Sequence, residues 1–174
     1  MANPWDIRER QPQGDKTPEG IFAAVGAALT TWEALESELA EVFDALVSGE
    51  KTERIGFATL MSVGSSHTRG EIILSAAERA LALQVPLGKE VHELATEAGH
   101  YRARRNEIAH GRCFNLDKHG FYFAPNNIAK NKWKDGAARY QWVAADIHHY
   151  GTEFASLCER ASHLAKQLRA SETA

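Results

Sequence analysis

RRNEIAHG, residues 104–111, closes a long segment of helical periodicity with two adjacent arginines, an asparagine and a histidine before a glycine. With Arg105 set at 0° and 100° added per residue, Leu87, Val91, Leu94, Ala98, Tyr101 and Ile108 fall between about −60° and +40°. Arg105 therefore sits at the centre of an apolar stripe. Arg102, Asn106 and His110, spaced by four, run along its polar edge. On the same projection Arg104 and Glu107 point elsewhere, toward solvent. Gly111 is placed to be the left-handed residue that ends the helix.

A guanidinium buried without a partner costs several kcal/mol, so an inward Arg105 needs a carboxylate, a bound anion or a wet interface. The first helix offers Glu36, inside a stripe of Leu29, Trp32, Leu39 and Phe43, while Glu33, Glu38 and Glu41 face out. Arg69, one turn before Ile73, is inward on its own helix. A structural ion pair of Glu36 with Arg69 or Arg105, holding helix register, is one reading of these charges. An anion site is the other.

The rest of the chain surrounds this segment with helices. Residues 1–17 are rich in Pro, Gln, Asp and Arg, lack periodicity and read as a flexible N-terminal arm. Thr17-Pro18-Glu19 opens a helix that runs to about Ser48, with a cap residue, a proline at the first helical position and an early acid. Further helices are expected over about 52–63, over 67–84, stopping before Pro86, and over 87–110. After Gly111 the period shortens: RCFNL and FYFA flank the turn-like DKHG, and RYQWV alternates as a third short strand. A final helix carries Ile147, Tyr150, Phe154, Cys158, Ala161, Ala165 and Leu168 inward. The expected fold is all-α, an antiparallel bundle of about five helices. A β-hairpin or three-strand insertion at 112–143 precedes the last helix, and 18–174 form a single domain.

Composition is that of a soluble globular chain, with 44% hydrophobic and 25% charged residues. No stretch approaches a membrane span, no signal-peptide core is present, and two cysteines, Cys113 and Cys158, give no disulfide framework. A cytoplasmic protein without membrane partners is the expectation. Charge is uneven: residues 99–142 hold nine of the 20 Lys and Arg but three of the 23 Asp and Glu. A basic block in an acidic chain suggests a local anion-binding face. Within it Lys130, Lys132, Lys134 and Arg139 interleave with Trp133, Tyr140 and Trp142, a mixture that suits single-stranded nucleic acid. A hydrophobic hairpin with a solvated lysine rim is the plainer reading.

Metal and cofactor signals are weak. Glu97 and His100 have the Glu-x-x-His spacing of di-metal bundles, but no second copy occurs and His100 points off the stripe. No phosphate-binding glycine loop, nucleophile elbow or dinucleotide pattern is present. The expectation is no metal and no cofactor.

Arg105-Asn106-x-x-x-His110-Gly111, on a helix of an all-α bundle, resembles the HEPN superfamily, whose signature is an arginine, a polar residue, a few further residues and a histidine. The resemblance covers about 18–111 and 144–170, and the insertion departs from it. It implies a metal-independent endoribonuclease, acting as a homodimer in which two motifs meet. Roles in toxin–antitoxin pairs, with a cognate antitoxin as partner, in phage defence or in RNA processing also follow from it. Other members bind RNA, nucleotide or a partner protein without cutting, which is the alternative function. Metal-free RNA cleavage needs a base, an acid and a cation for the phosphorane. His110 suits the proton work and Arg105 the phosphate, with Asn106 orienting one or the other. Arg102, Lys130, Lys132, Lys134 and Arg139 would then contact substrate.

Overall fold

The computed structural model describes residues 3–6, 8–9, 11–48, 54–125 and 141–172. It is predominantly helical, with five α-helices among the described residues and one two-stranded antiparallel sheet before the last of them. The helices are α1 (Glu19–Val47), α2 (Ile55–Met61), α3 (Ser66–Ala82), α4 (Gly88–Ala109) and α5 (Ala144–Glu172). The strands are β1 (Gly111–Asn115) and β2 (Phe121–Pro125), joined through a 3-10 turn at Asp117–His119. No helix among the described residues is long and apolar enough to cross a membrane.

Local chemistry explains these limits. The Phe22 N–H donates to Pro18 O at 3.0 Å, so the proline caps α1 one residue before Glu19, where its missing donor is harmless. Ser65 caps α3 by accepting from the Thr68 N–H at 3.2 Å. On α4 the apolar stripe is buried from Val91 through Leu94, Ala98 and Tyr101 to Ile108.

By its contacts the chain divides into two compact units, 1–32 with 101–154, and 33–100 with 155–174. In the first, β2 is paired on both sides. Cys113 faces Phe123 and Asn115 faces Phe121 across the hairpin. On the other edge Asp15 exchanges backbone hydrogen bonds with Phe121 (2.9 and 2.8 Å), and Trp142 does so with Phe123 (2.9 and 2.8 Å). The expected third strand is thus a single bridge at Trp142, and its neighbours up to Tyr140 lie outside the described residues. Gly120, at φ 84°, lets the backbone of Asp15 approach so closely.

The segment that composition marks as an arm makes specific contacts here. The Asp15 carboxylate accepts the Ala144 N–H at 2.7 Å, at the first turn of α5. Buried Asp146 accepts the Val143 N–H at 3.0 Å and meets Arg8 Nε at 3.2 Å. Two acids therefore serve the donors that a helix start leaves open. Burial pushes the Asp146 carboxyl up, against the pull of the Val143 N–H and Arg8.

Gly111 is a correction. It opens β1 and is not in the left-handed region. It is a glycine because the Phe123 ring occupies the space a Cβ would need. The turn before it stays helical, since the His110 N–H donates to Asn106 O at 3.1 Å.

In the second unit the organising group is Asp44, near the end of α1 and 2% exposed. Its carboxylate accepts from Ser48 Oγ (2.8 Å) and from the N–H groups of Phe57 (3.0 Å) and Arg54 (3.2 Å). Arg169 of α5 approaches to 3.5 Å. Burial alone would raise this carboxyl, but these partners outweigh it and hold it below its ordinary 3.8. Asp44→Ala should lower unfolding free energy at pH 7 by about 3 kcal/mol. A depressed carboxylate stabilises above its unfolded value and loses that contribution as pH falls through its folded one. The difference between wild type and variant, measured by denaturant titration, should therefore shrink below about pH 4.

Candidate functional site

The last turns of α4 carry the motif. Asn106 and His110 are exposed, as is Ala103 on the same face, which spans about 100–160° on the projection from Arg105. Arg105 is half-buried, and its Nη1 donates to Asn106 Oδ1 at 3.2 Å. That contact leaves the asparagine amide nitrogen as a donor. Arg102 is half-buried one turn earlier.

Arg104 and Glu107 are the second correction. The wheel sends them to solvent, but their side chains are only 13% and 21% exposed. They form an ion pair with Arg104 Nη1 2.9 Å from Glu107 Oε2. The approach is off-line, so that Arg104 Nε and Nη1 and Glu107 Oε2, all buried, make no hydrogen bond among the described residues. Burial therefore dominates: it raises the Glu107 carboxyl to about 7, against the pull of Arg104.

Tyr150 of α5 shares this neighbourhood. Burial raises its phenol, Arg104 lowers it and the Glu107 charge raises it further. Its hydroxyl donates to Asp6 O at 2.8 Å. Nearby residues of the same unit add further contacts. Tyr101 Oη donates to Glu153 at 2.9 Å, His149 Nε2 lies 3.2 Å from Pro4 O, and Trp5 packs edge-on to Tyr101 at 6.0 Å. An aromatic run of Phe123, Trp142 and Tyr150, with centroids 6.4 and 5.4 Å apart, links the hairpin to α5.

Other sequence candidates fall elsewhere. Glu36 and Arg69 form a close ion pair in the second unit, with Ser66 also bonded to Glu36 and Arg69 Nη1 donating to Val63 O at 2.9 Å. Glu97 pairs with Arg160 at 2.6 Å. Lys130, Lys132, Lys134 and Arg139 lie outside the described residues. Among the described residues no group of three His, Cys, Asp or Glu is placed to hold a metal ion. The residues that sequence reasoning missed are Arg104, Glu107, Tyr150 and Asp146. The one available signal was the i,i+3 spacing of Arg104 and Glu107, which favours an ion pair on any helix but does not report its burial.

Comparison with family models, curated proteins and solved structures gives no significant match. Function is therefore argued from the residues themselves.

The raised Glu107 carboxyl makes stability depend on pH. Below its ordinary 4.5 it is protonated folded and unfolded; between 4.5 and about 7 only the unfolded chain ionises, so stability falls. Above that range the effect is constant. Glu107→Gln should flatten this slope, changing the pH 5-to-8 stability difference by up to about 3 kcal/mol. Denaturant titrations of both proteins across that range measure it, and parallel curves would contradict the assignment.

Proposed function

We propose that this chain is a HEPN-like, metal-independent endoribonuclease that acts as a homodimer on single-stranded RNA. The observation that carries the reading is the grouping on one helical turn: exposed Asn106 and His110, with Arg105 bonded to Asn106 beside them. A guanidinium stabilises the charge of a phosphorane, an imidazole moves protons near neutrality, and an amide orients either one. The exposed face at Ala103, Asn106 and His110 has a small residue at one edge, where a second α4 could approach closely. A dimer packed there brings two motifs to one cleft. A toxin with a cognate antitoxin, a phage-defence nuclease and an RNA-processing enzyme all use this chemistry.

The test is cleavage of a single-stranded oligoribonucleotide in EDTA, on protein sized as a dimer. Products should carry a 2′,3′-cyclic phosphate and a 5′-hydroxyl, and the DNA analogue, which lacks the attacking 2′-oxygen, should survive. His110→Ala should lower kcat by about 10²–10⁴-fold and keep its fold. Arg105→Ala should lower it by about 10²–10³-fold. Cleavage that stops in EDTA or persists in pure His110→Ala refutes the reading.

The basic run in the insertion would guide RNA without cutting it. Reversing charge at Lys130, Lys132 and Lys134 together should weaken RNA binding and flatten its dependence on salt. Unchanged affinity and slope, read by fluorescence anisotropy at several ionic strengths, would remove the insertion from the RNA path.

A further inference from the structure

Resting on the ribonuclease reading above, we infer that the outer face of β1 continues the RNA path past the motif. Arg112 takes the phosphate next to the one held at Arg105 and His110, and the Phe114 ring stacks on a base. The ligand is single-stranded RNA, bound here through charge and ring face and not through base edges.

The first support is direction. A Cβ at residue 111 would meet the Phe123 ring, so that position faces inward. Side chains alternate along a strand, and Arg112 and Phe114 therefore lie on the opposite face from Gly111, Cys113 and Phe123. Arg112 is exposed there, and His110, on the other side of Gly111, is exposed too. The glycine between them puts no side chain in the way, and two residues of chain span at most about 7 Å. Imidazole and guanidinium can then serve neighbouring phosphates of one strand.

The second support is that Arg112 is uncommitted. In this unit Arg8 and Arg104 sit against carboxylates, and Arg105 donates to Asn106. Among the described residues Arg112 makes neither an ion pair nor a hydrogen bond. Its cross-strand partner is Ala124, too small to cover it. Lys118 is exposed at the turn of the same hairpin, where Asp117 is the one acid, so the hairpin is net positive.

The third support is the ring. Phe114 stacks on Tyr122 across the hairpin, with centroids 6.3 Å and planes 28° apart. Tyr122 is fully buried, and its hydroxyl donates to Gln11 O at 3.3 Å. Phe114 is half-buried, so part of it stays open to solvent. A ring already fixed by a stacked neighbour loses little freedom when a base joins it. A cation and a ring two residues apart on a strand, about 6.6–6.8 Å, offer charge to the backbone and a surface to the base.

The experiment reads binding and cleavage separately. Fluorescence anisotropy of a labelled oligoribonucleotide on His110→Ala protein gives affinity without turnover, and active protein gives kcat and KM. Added to His110→Ala, Arg112→Ala should weaken binding about tenfold at low salt and lower the slope of log affinity on log salt by about one. In active protein it should raise KM by a similar factor and leave kcat within about threefold. Arg112→Lys keeps the charge and should recover most of the affinity, a rescue that a merely structural arginine would not show. Phe114→Leu keeps an apolar group against Tyr122 and should weaken binding about fivefold or more with the salt slope unchanged. Unchanged affinity, KM and salt slope in Arg112→Ala, or a loss confined to kcat, overturns this inference alone when the wild type cleaves. Full affinity in Phe114→Leu overturns its stacking half. A wild type that binds but cuts at no pH, with Arg112→Ala weakening that binding, removes the ribonuclease reading and keeps the RNA site. A wild type that binds no oligoribonucleotide overturns both.

Discussion

The Phe123 ring fills the volume that a side chain at residue 111 would need, and this contact ties the hairpin to the end of α4. Backbone and ring of Phe123 serve different neighbours. Its N–H and C=O both go to Trp142, so its pairing with Cys113 across the hairpin is one of the non-hydrogen-bonded type. The ring meets Gly111 on one side and stacks on Trp142 on the other, and Trp142 continues to Tyr150. The residue after His110 and the start of α5 are thereby set by one side chain. The motif is thus held from two sides, by the buried stripe of the helix that carries it and by the hairpin packed at its end.

Most of the fold was legible because the helices are long and their apolar residues recur every three to four positions. The stripes of α1, α4 and α5 could be read position by position, and the inward acid Glu36 stood out because a charge interrupts a stripe only with a partner. The hairpin was legible from the change of period after Gly111. Misreadings arose where a local rule met a non-local neighbour. Gly111 satisfies the rule for a helix-ending glycine, yet its glycine is required by a ring ten or so residues on, a fact no C-cap pattern contains. Asp44 gave no signal, since an acid near a helix end is commonplace and its partners are backbone N–H groups at residues 54 and 57.

The candidate site was half legible for the same reason. Arg105, Asn106 and His110 were found because residue type and spacing carry chemistry without reference to surroundings. Arg104 and Glu107 were misplaced because a helical wheel ranks positions by the apolarity of one helix alone. Tyr150, on an element 40 or so residues away, brings a buried aromatic into the same electrostatic neighbourhood, which a wheel of one helix cannot contain. Sequence identifies the groups of the motif, and the tertiary fold sets the protonation of Glu107 among them.

Two arginine–carboxylate pairs in this chain show how far geometry decides that outcome. Glu36 holds Arg69 and Ser66, and Arg69 is anchored in turn to a backbone carbonyl. Its oxygens are committed, as a structural ion pair requires when most of its surface is away from water. Glu107 has its arginine at contact distance but off-line, with a buried oxygen to which no donor is aligned. The same two residue types then produce a different balance: Coulomb attraction is present, hydrogen bonding is incomplete, and desolvation raises the carboxyl to about 7. A carboxylate whose bonds are complete has little reason to take up a proton. One held by charge but buried without an aligned donor does.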